Sequence, residues 1–214
     1  MPFGKGRKKK NDDEDFNKIL FGGSEKTDSD GEDSHDIIER INNHIYFYSD
    51  VNNKSAIEFK KTVTKLKLEL TTLYNKFEIQ PIIHLHINSY GGCLYSAFCI
   101  IDTIREIQKE GFDVYTYCEG KVASAGTLIS VSGTKRFISE NAVMLIHQLS
   151  SVFWGKFTEI EDDWENCNML MNKMKKIYKD NTKFKKKELD NLLKHDLWLE
   201  AKECLEKGIV DEII

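Results

Sequence analysis

From Ile45 onward the apolar residues alternate between two spacings, and few folds accommodate both in that order. Ile45 to Tyr48 is a short apolar and aromatic run that reads as a strand. Phe59, Val63, Leu66, Leu70, Leu73 and Phe77 then step by 4, 3, 4, 3 and 4, which puts them on one face of a helix. Ile82 to Ile87 returns to a strand-like run and ends at a turn, Asn88 to Gly92. Leu94 to Ile107 resumes helical spacing, and Val114 to Cys118 reads as the next strand. A helix is the usual crossover between parallel strands, so this alternation predicts an α/β domain with a largely parallel sheet. Pro2 and Pro81 are the only prolines, and no repeat or linker follows residue 36. One domain over residues 36–214 is expected.

A later helix carries a longer stripe. Phe157, Ile160, Trp164, Cys167, Met171, Met174 and Tyr178 step by 3, 4, 3, 4, 3 and 4, and Thr158 with Glu161 has the spacing of a capping box at its start. A stripe of this length either packs into its own chain or meets a helix of another subunit. Lys183 and Lys185 to Lys187 follow and read as a solvated face.

Residues 1–35 mix Lys, Asp, Glu, Ser and Gly around one apolar patch at Ile19, Leu20 and Phe21. Such a composition buries too little surface to offset the entropy of ordering, so a flexible charged arm is expected. Lys5, Arg7 and Lys8 to Lys10 lead into Asp12, Asp13, Glu14 and Asp15 rather than an apolar stretch, unlike an export or transit signal. A cytoplasmic protein is the expectation. The net charge of −4 offers no general attraction for nucleic acid or an anionic membrane. No apolar run approaches the roughly 18–20 residues that span a bilayer. The 5 cysteines are scattered without a CxxC pair, so neither a zinc site nor a disulfide framework is expected. His84 and His86 share one face of their strand and are read as partly buried strand residues, not metal ligands.

Three segments carry candidate chemistry: Asn88-Ser89-Tyr90-Gly91-Gly92, Gly120 to Gly126, and Met144-Leu145-Ile146-His147-Gln148. Adjacent glycines at a strand end let the backbone turn sharply and bring its N–H groups close to a ligand. Ser124 lies among Ala123, Ala125 and Gly126, small neighbours that leave a hydroxyl open to substrate. Ser130 and Ser132 lack that setting. His147 ends the apolar run from Val143 and supplies an imidazole, the side chain that titrates nearest neutrality. A carboxylate to orient it is open among Asp190, Asp196 and Glu200.

In order and approximate spacing, Ile87-Asn88-Ser89-Tyr90-Gly91-Gly92, Val122-Ala123-Ser124-Ala125-Gly126 and Met144-Leu145-Ile146-His147-Gln148 resemble the signature blocks of the ClpP family of self-compartmentalising serine peptidases. The resemblance runs over residues 36–214, and Gly208 to Ile213 is similar to the family's C-terminal strand. It implies a ClpP/crotonase-like repeated ββα superhelix with a protruding strand–helix handle at about 150–182. It assigns Ser124 as nucleophile, His147 as general base, and the N–H groups of Gly92 and Ala125 as the oxyanion hole. Asp196 precedes Leu197-Trp198-Leu199-Glu200-Ala201, which resembles the family's stretch before its last helix, and is thereby the third triad member. The implied protein needs no metal or organic cofactor and assembles as a homo-oligomer of two stacked seven-membered rings. It would cleave unfolded polypeptides fed to it by an AAA+ unfoldase.

The sequence departs from the family at Tyr90 and Leu149, where proline is usual, and in the acidic, serine-rich stretch from Ser24 to Asp33. Two other readings fit the blocks. One is a catalytically weak ClpP-like subunit with a structural or regulatory role. The other is a crotonase-like acyl-CoA enzyme, which uses a similar oxyanion hole but has no need of the triad.

Overall fold

The long β4 strand organises the domain, because it borders three other strands. The computed structural model describes residues 37–214. In chain order these form β1 (Ile37–Ile41), β2 (His44–Tyr48), α1 (Asn53–Phe77), β3 (Ile82–Ser89), α2 (Leu94–Lys109), β4 (Asp113–Ala123) and α3 (Ala125–Ser130). There follow β5 (Lys135–Ile138), β6 (Val143–Leu145), α4 (Phe157–Asn181), α5 (Lys186–Leu192), β7 (Trp198–Glu200), α6 (Ala201–Glu206) and β8 (Glu212–Ile213). The sheet runs β1-β2-β3-β4-β5-β8, with β6 joined to β4 and β7 joined to β6. All of its pairings are parallel except β1 with β2 and β6 with β7, as the alternating sequence pattern predicts. The expected arm at 1–35, with its patch at Ile19, Leu20 and Phe21, lies outside the described residues.

One face of β2, β3 and β4 is the core. Ile45, Phe47, Ile83, Leu85, Ile87 and Val114 are buried there against Phe59, Val63 and Leu66 of α1 and Ile100, Ile101 and Ile104 of α2. Burying side chains of this size contributes about 1.5–3 kcal/mol each, which holds the crossover helices on the sheet. Helix α1 starts where the Asn52 side chain accepts from the Ser55 amide and the Ser55 hydroxyl accepts from the Asn52 amide, each at 2.9 Å. Its stripe is buried only in part, since Leu73 and Phe77 are exposed. A helix of 25 residues extends about 37 Å, longer than a strand of 8 residues at about 27 Å, so its last turns outrun the sheet.

Strand β4 is longer than the Val114-to-Cys118 run from which it is predicted, and Gly120 explains its course. The register with β3 passes from Ile87↔Cys118 to Ser89↔Val122, a bulge at which Gly120 takes φ +62°. A Cβ on Gly120 would lie 3.0 Å from Asn88 Nδ2. Before the bulge β4 pairs with β5; after it, with β6. That division directs the end of β4 toward β6, away from β5.

The expected handle is only half present. Helix α4 covers Phe157–Asn181, but residues 146–156 form no strand. Val152 and Trp154 are 69% and 86% exposed, and a segment without a neighbouring ladder has no partner for its backbone groups. The helix also begins earlier than its Thr158–Glu161 spacing predicts. Glu159 Oε2 accepts from the Lys156 amide at 2.8 Å, so the turn closes two residues upstream.

Candidate active site

The end of β4 presents Ser124 on a strained turn. Ser124 has φ 52° and ψ −123°, positive-φ geometry that a residue with a Cβ adopts at a cost of about 1–3 kcal/mol. The turn is over-determined by its surroundings. The Ser124 amide donates to Leu145 O at 2.8 Å, and the Thr127 hydroxyl donates to Ser124 O at 2.6 Å. Thr127 Oγ1 is also 2.6 Å from the Tyr178 hydroxyl. Because the Thr127 proton is committed to Ser124 O, Tyr178 is the donor in that second bond. Tyr178 is fully buried, and burial raises its phenol well above the usual range, so it stays protonated. Helix α4 thus buttresses the turn through two hydroxyls that the sequence reading did not single out. Tyr178 was legible there only as one member of the apolar stripe.

The loop Gly91–Gly92 lies against this turn. Gly91 has φ +93°, and a Cβ built on it would be 2.7 Å from Ser124 Cβ and 2.9 Å from Ala125 N. Gly92 has φ +136°, and its Cβ would meet Val51 O at 2.4 Å. Two hydrogen bonds clamp the loop to Val51: the Val51 amide to Gly91 O and the Cys93 amide to Val51 O, each 2.7 Å. Among the described residues the amides of Gly92 and Ala125 donate to no other group. Two uncommitted N–H groups beside a hydroxyl are what an oxyanion requires.

Strand register brings His147 and Asp196 together. β6 and β7 pair antiparallel with Leu145 opposite Trp198, and continuing that register two residues onward puts 147 opposite 196. The Gln148 amide donates to Leu193 O at 2.9 Å, which carries the chain after α5 alongside. His147 Nδ1 lies 3.2 Å from Asp196 Oδ1; the imidazole side chain is 24% exposed and the carboxylate 78%. The other two candidate carboxylates are committed elsewhere. Asp190 pairs with Lys175 Nζ at 2.7 Å, and Glu200 stands at the start of α6. Among the described residues no hydrogen bond joins the Ser124 hydroxyl to His147.

Four other nucleophiles are withdrawn from solvent, whereas Cys99 is exposed and Cys93 and Cys167 are half-buried. Ser130 and Ser132 are buried, and the buried thiols of Cys118 and Cys204 are pushed up to about 12, chiefly by burial. Among the described residues no group of three His, Cys, Asp or Glu is arranged to hold a metal, and no helix is long and apolar enough to cross a membrane. His84 and His86, half-buried on β3, are hydrogen-bonded to Tyr117 and to His44 and Glu119 respectively.

A family model described as Clp protease matches residues 29–214. Among solved structures, an aspartate-for-asparagine mutant of ClpP1 from Listeria monocytogenes superposes with a TM-score of 0.69 at 25% identity. The match covers 81% of this chain and 91% of that one.

Proposed function

The chain belongs to the Clp protease family, whose members are serine peptidases with this fold, and on that premise we propose that Ser124, His147 and Asp196 form its catalytic triad. The observation that carries the proposal is the single register that sets His147 Nδ1 3.2 Å from Asp196 Oδ1 just past the end of β6, the strand whose Leu145 O also accepts from the Ser124 amide.

In this reading the Ser124 hydroxyl attacks a peptide carbonyl as His147 Nε2 takes its proton. Asp196 holds the imidazole with Nδ1 protonated and stabilises the imidazolium. The carbonyl oxygen, now an oxyanion, accepts from Gly92 and Ala125; one such donor contributes about 3–4 kcal/mol to the transition state. His147 returns the proton to the leaving amine, and water, deprotonated by His147 in turn, hydrolyses the acyl-enzyme at Ser124.

Unfolded polypeptides are the substrate class, and the enclosure is an assembly of this chain, two stacked seven-membered rings served by an AAA+ unfoldase. Its support is the uncovered apolar surface at the start of α4, where Trp154, Phe157 and Trp164 are 86%, 76% and 60% exposed. Large apolar groups clustered in this way mark a contact with another chain. A second reading, a catalytically weak subunit within such an assembly, is favoured by the missing Ser124–His147 hydrogen bond and the 78% exposure of Asp196.

Labelling with a serine-directed fluorophosphonate separates the two. In the active reading the adduct maps to Ser124, and Ser124→Ala abolishes both labelling and release of acid-soluble peptides from casein. Correct assembly with no adduct leaves the weak-subunit reading in possession.

A further inference from the structure

Beside the proposed nucleophile, Lys121 and Tyr90 make a contact that peptide-bond chemistry does not use. Lys121 Nζ stands 3.8 Å from the centroid of the Tyr90 ring. The ring is 62% exposed, whereas Lys121 is half-buried. Among the described residues no carboxylate lies within ion-pair distance of this ammonium. An aromatic face attracts a cation without neutralising it, so the N–H groups turned away from the ring remain available to an anion.

Both residues are placed by the backbone that builds the site. Tyr90 immediately precedes Gly91, the residue that passes so close to Ser124 that a Cβ on it would lie 2.7 Å from the serine's own. Lys121 lies opposite Val143 and Ala123 opposite Leu145 in the β4–β6 register. Alternate residues of a strand share a face. Val143, Leu145 and His147 keep one phase of burial, half-buried between the buried Met144 and Ile146. Lys121 therefore emerges on the face that carries the imidazole. It precedes Ser124 by three positions, about 10 Å along a strand at about 3.3 Å per residue. An extended substrate rises by the same step, so the ammonium addresses a side chain within about three residues of the cleaved bond.

We propose that Lys121, held in place by Tyr90, is a specificity-determining residue that selects substrates with an Asp or Glu side chain close to the cleaved bond. The proposal rests on the serine-peptidase reading and deepens it by naming a substrate class. Stacking on Tyr90 orders a flexible side chain before substrate arrives, which lowers the entropic cost of pairing with a carboxylate.

The test uses the assembled full chain and internally quenched peptides that differ only in carrying Asp, Asn or Lys at one position, scanned over three residues on either side of the scissile bond. The expected result is a kcat/KM about fivefold higher for Asp than for Asn at one position or more, reversed for Lys and shrinking as salt is raised. Lys121→Met removes the Asp-over-Asn ratio, Lys121→Arg keeps it, and Tyr90→Leu reduces it. Equal values for Asp and Asn at every position, or an undiminished ratio in Lys121→Met, overturns the selectivity. Fluorescence anisotropy of the same peptides on Ser124→Ala reads the selectivity without turnover: equal Kd for Asp and Asn peptides overturns it there too. Absence of phosphonate labelling on the wild-type chain overturns the peptidase reading instead, so the two failures are distinguishable.

Discussion

His84 stacks on His44 with ring centroids 4.3 Å apart, and His44 Nδ1 is in turn 2.8 Å from His86 Nε2. Tyr46, Tyr48, Tyr115, Tyr117 and Glu119 share this sheet face, and Glu119 is the carboxylate among them, taken up by His86 and Tyr48. Burial first, then the neighbouring His44 and His86, holds His84 down to about 4 from the ordinary 6.5. The His44 imidazole is lowered too, by burial and then by His86. An imidazole whose pKa falls on folding binds its proton more readily in the unfolded chain. Its contribution is complete above pH 6.5 and is lost as pH falls toward about 4. Thermal unfolding followed across that window is expected to show a falling midpoint, and His84→Phe, which keeps a ring but cannot titrate, is expected to flatten the slope. An unchanged slope would remove His84 as the cause. At the same scale, the strand placement of His84 and His86 was legible from alternation alone. Their stacking was not, because His44 comes from another strand and only register aligns it.

Helix α4 divides at its middle. Leu170, Met174, Ile177 and Tyr178 are buried, whereas Phe157 and Trp164 stand exposed. The periodicity marks one continuous stripe and cannot say that half of it lacks a cover within the chain. Trp164→Asp is therefore expected to leave the midpoint of unfolding of a dissociated chain almost unchanged, since a surface substitution costs about 0.5 kcal/mol or less. It is expected to lower the assembly mass seen by analytical ultracentrifugation. In the buried half, Tyr178→Phe deletes the donor to Thr127 and is expected to cost about 1 kcal/mol of stability. It also loosens the Ser124 turn, so phosphonate labelling of Ser124 is expected to slow by more than the fold is weakened. A loss of stability at an unaltered labelling rate would make Tyr178 a packing residue only.

Over the whole molecule, Arg136 ties the chain's last third to the sheet. Its guanidinium donates to Asp211 Oδ1 at 2.6 Å and Oδ2 at 3.0 Å, to Gly208 O at 3.1 Å, and to Asn181 O at the end of α4. Burial acts to raise the Asp211 carboxyl, but the hydrogen bonds and charge of Arg136 win, and it sits below the ordinary range. Removing the cation leaves the Asp211 carboxylate with only the backbone amide of residue 136, at 2.9 Å, and takes the guanidinium donor from two carbonyls at the junction of β5, β8 and α4. Arg136→Ala is expected to destabilise the domain by about 2–3 kcal/mol, measured by denaturant unfolding. Arg136→Lys is expected to recover little of it, because an ammonium lacks the planar fork that reaches three acceptors at once. Urea midpoints equal to wild type would refute this account.

Residue order alone specified the alternation of strands and helices, the parallel character of the sheet, and three short segments bearing a hydroxyl, an imidazole and paired glycines. These are properties of local spacing, set by which side chains one element can bury and which backbone angles glycine alone adopts freely. That Asp196, and neither Asp190 nor Glu200, is the carboxylate paired with His147 became visible only in the fold, since a register between β6 and β7 is a long-range pairing that composition does not encode. That Tyr178 holds the Ser124 turn, that Lys121 rests on Tyr90, and that the start of α4 stands uncovered became visible only in the folded chain. Each of these depends on contacts between segments tens of residues apart, whose distances exist only once the sheet has closed its register.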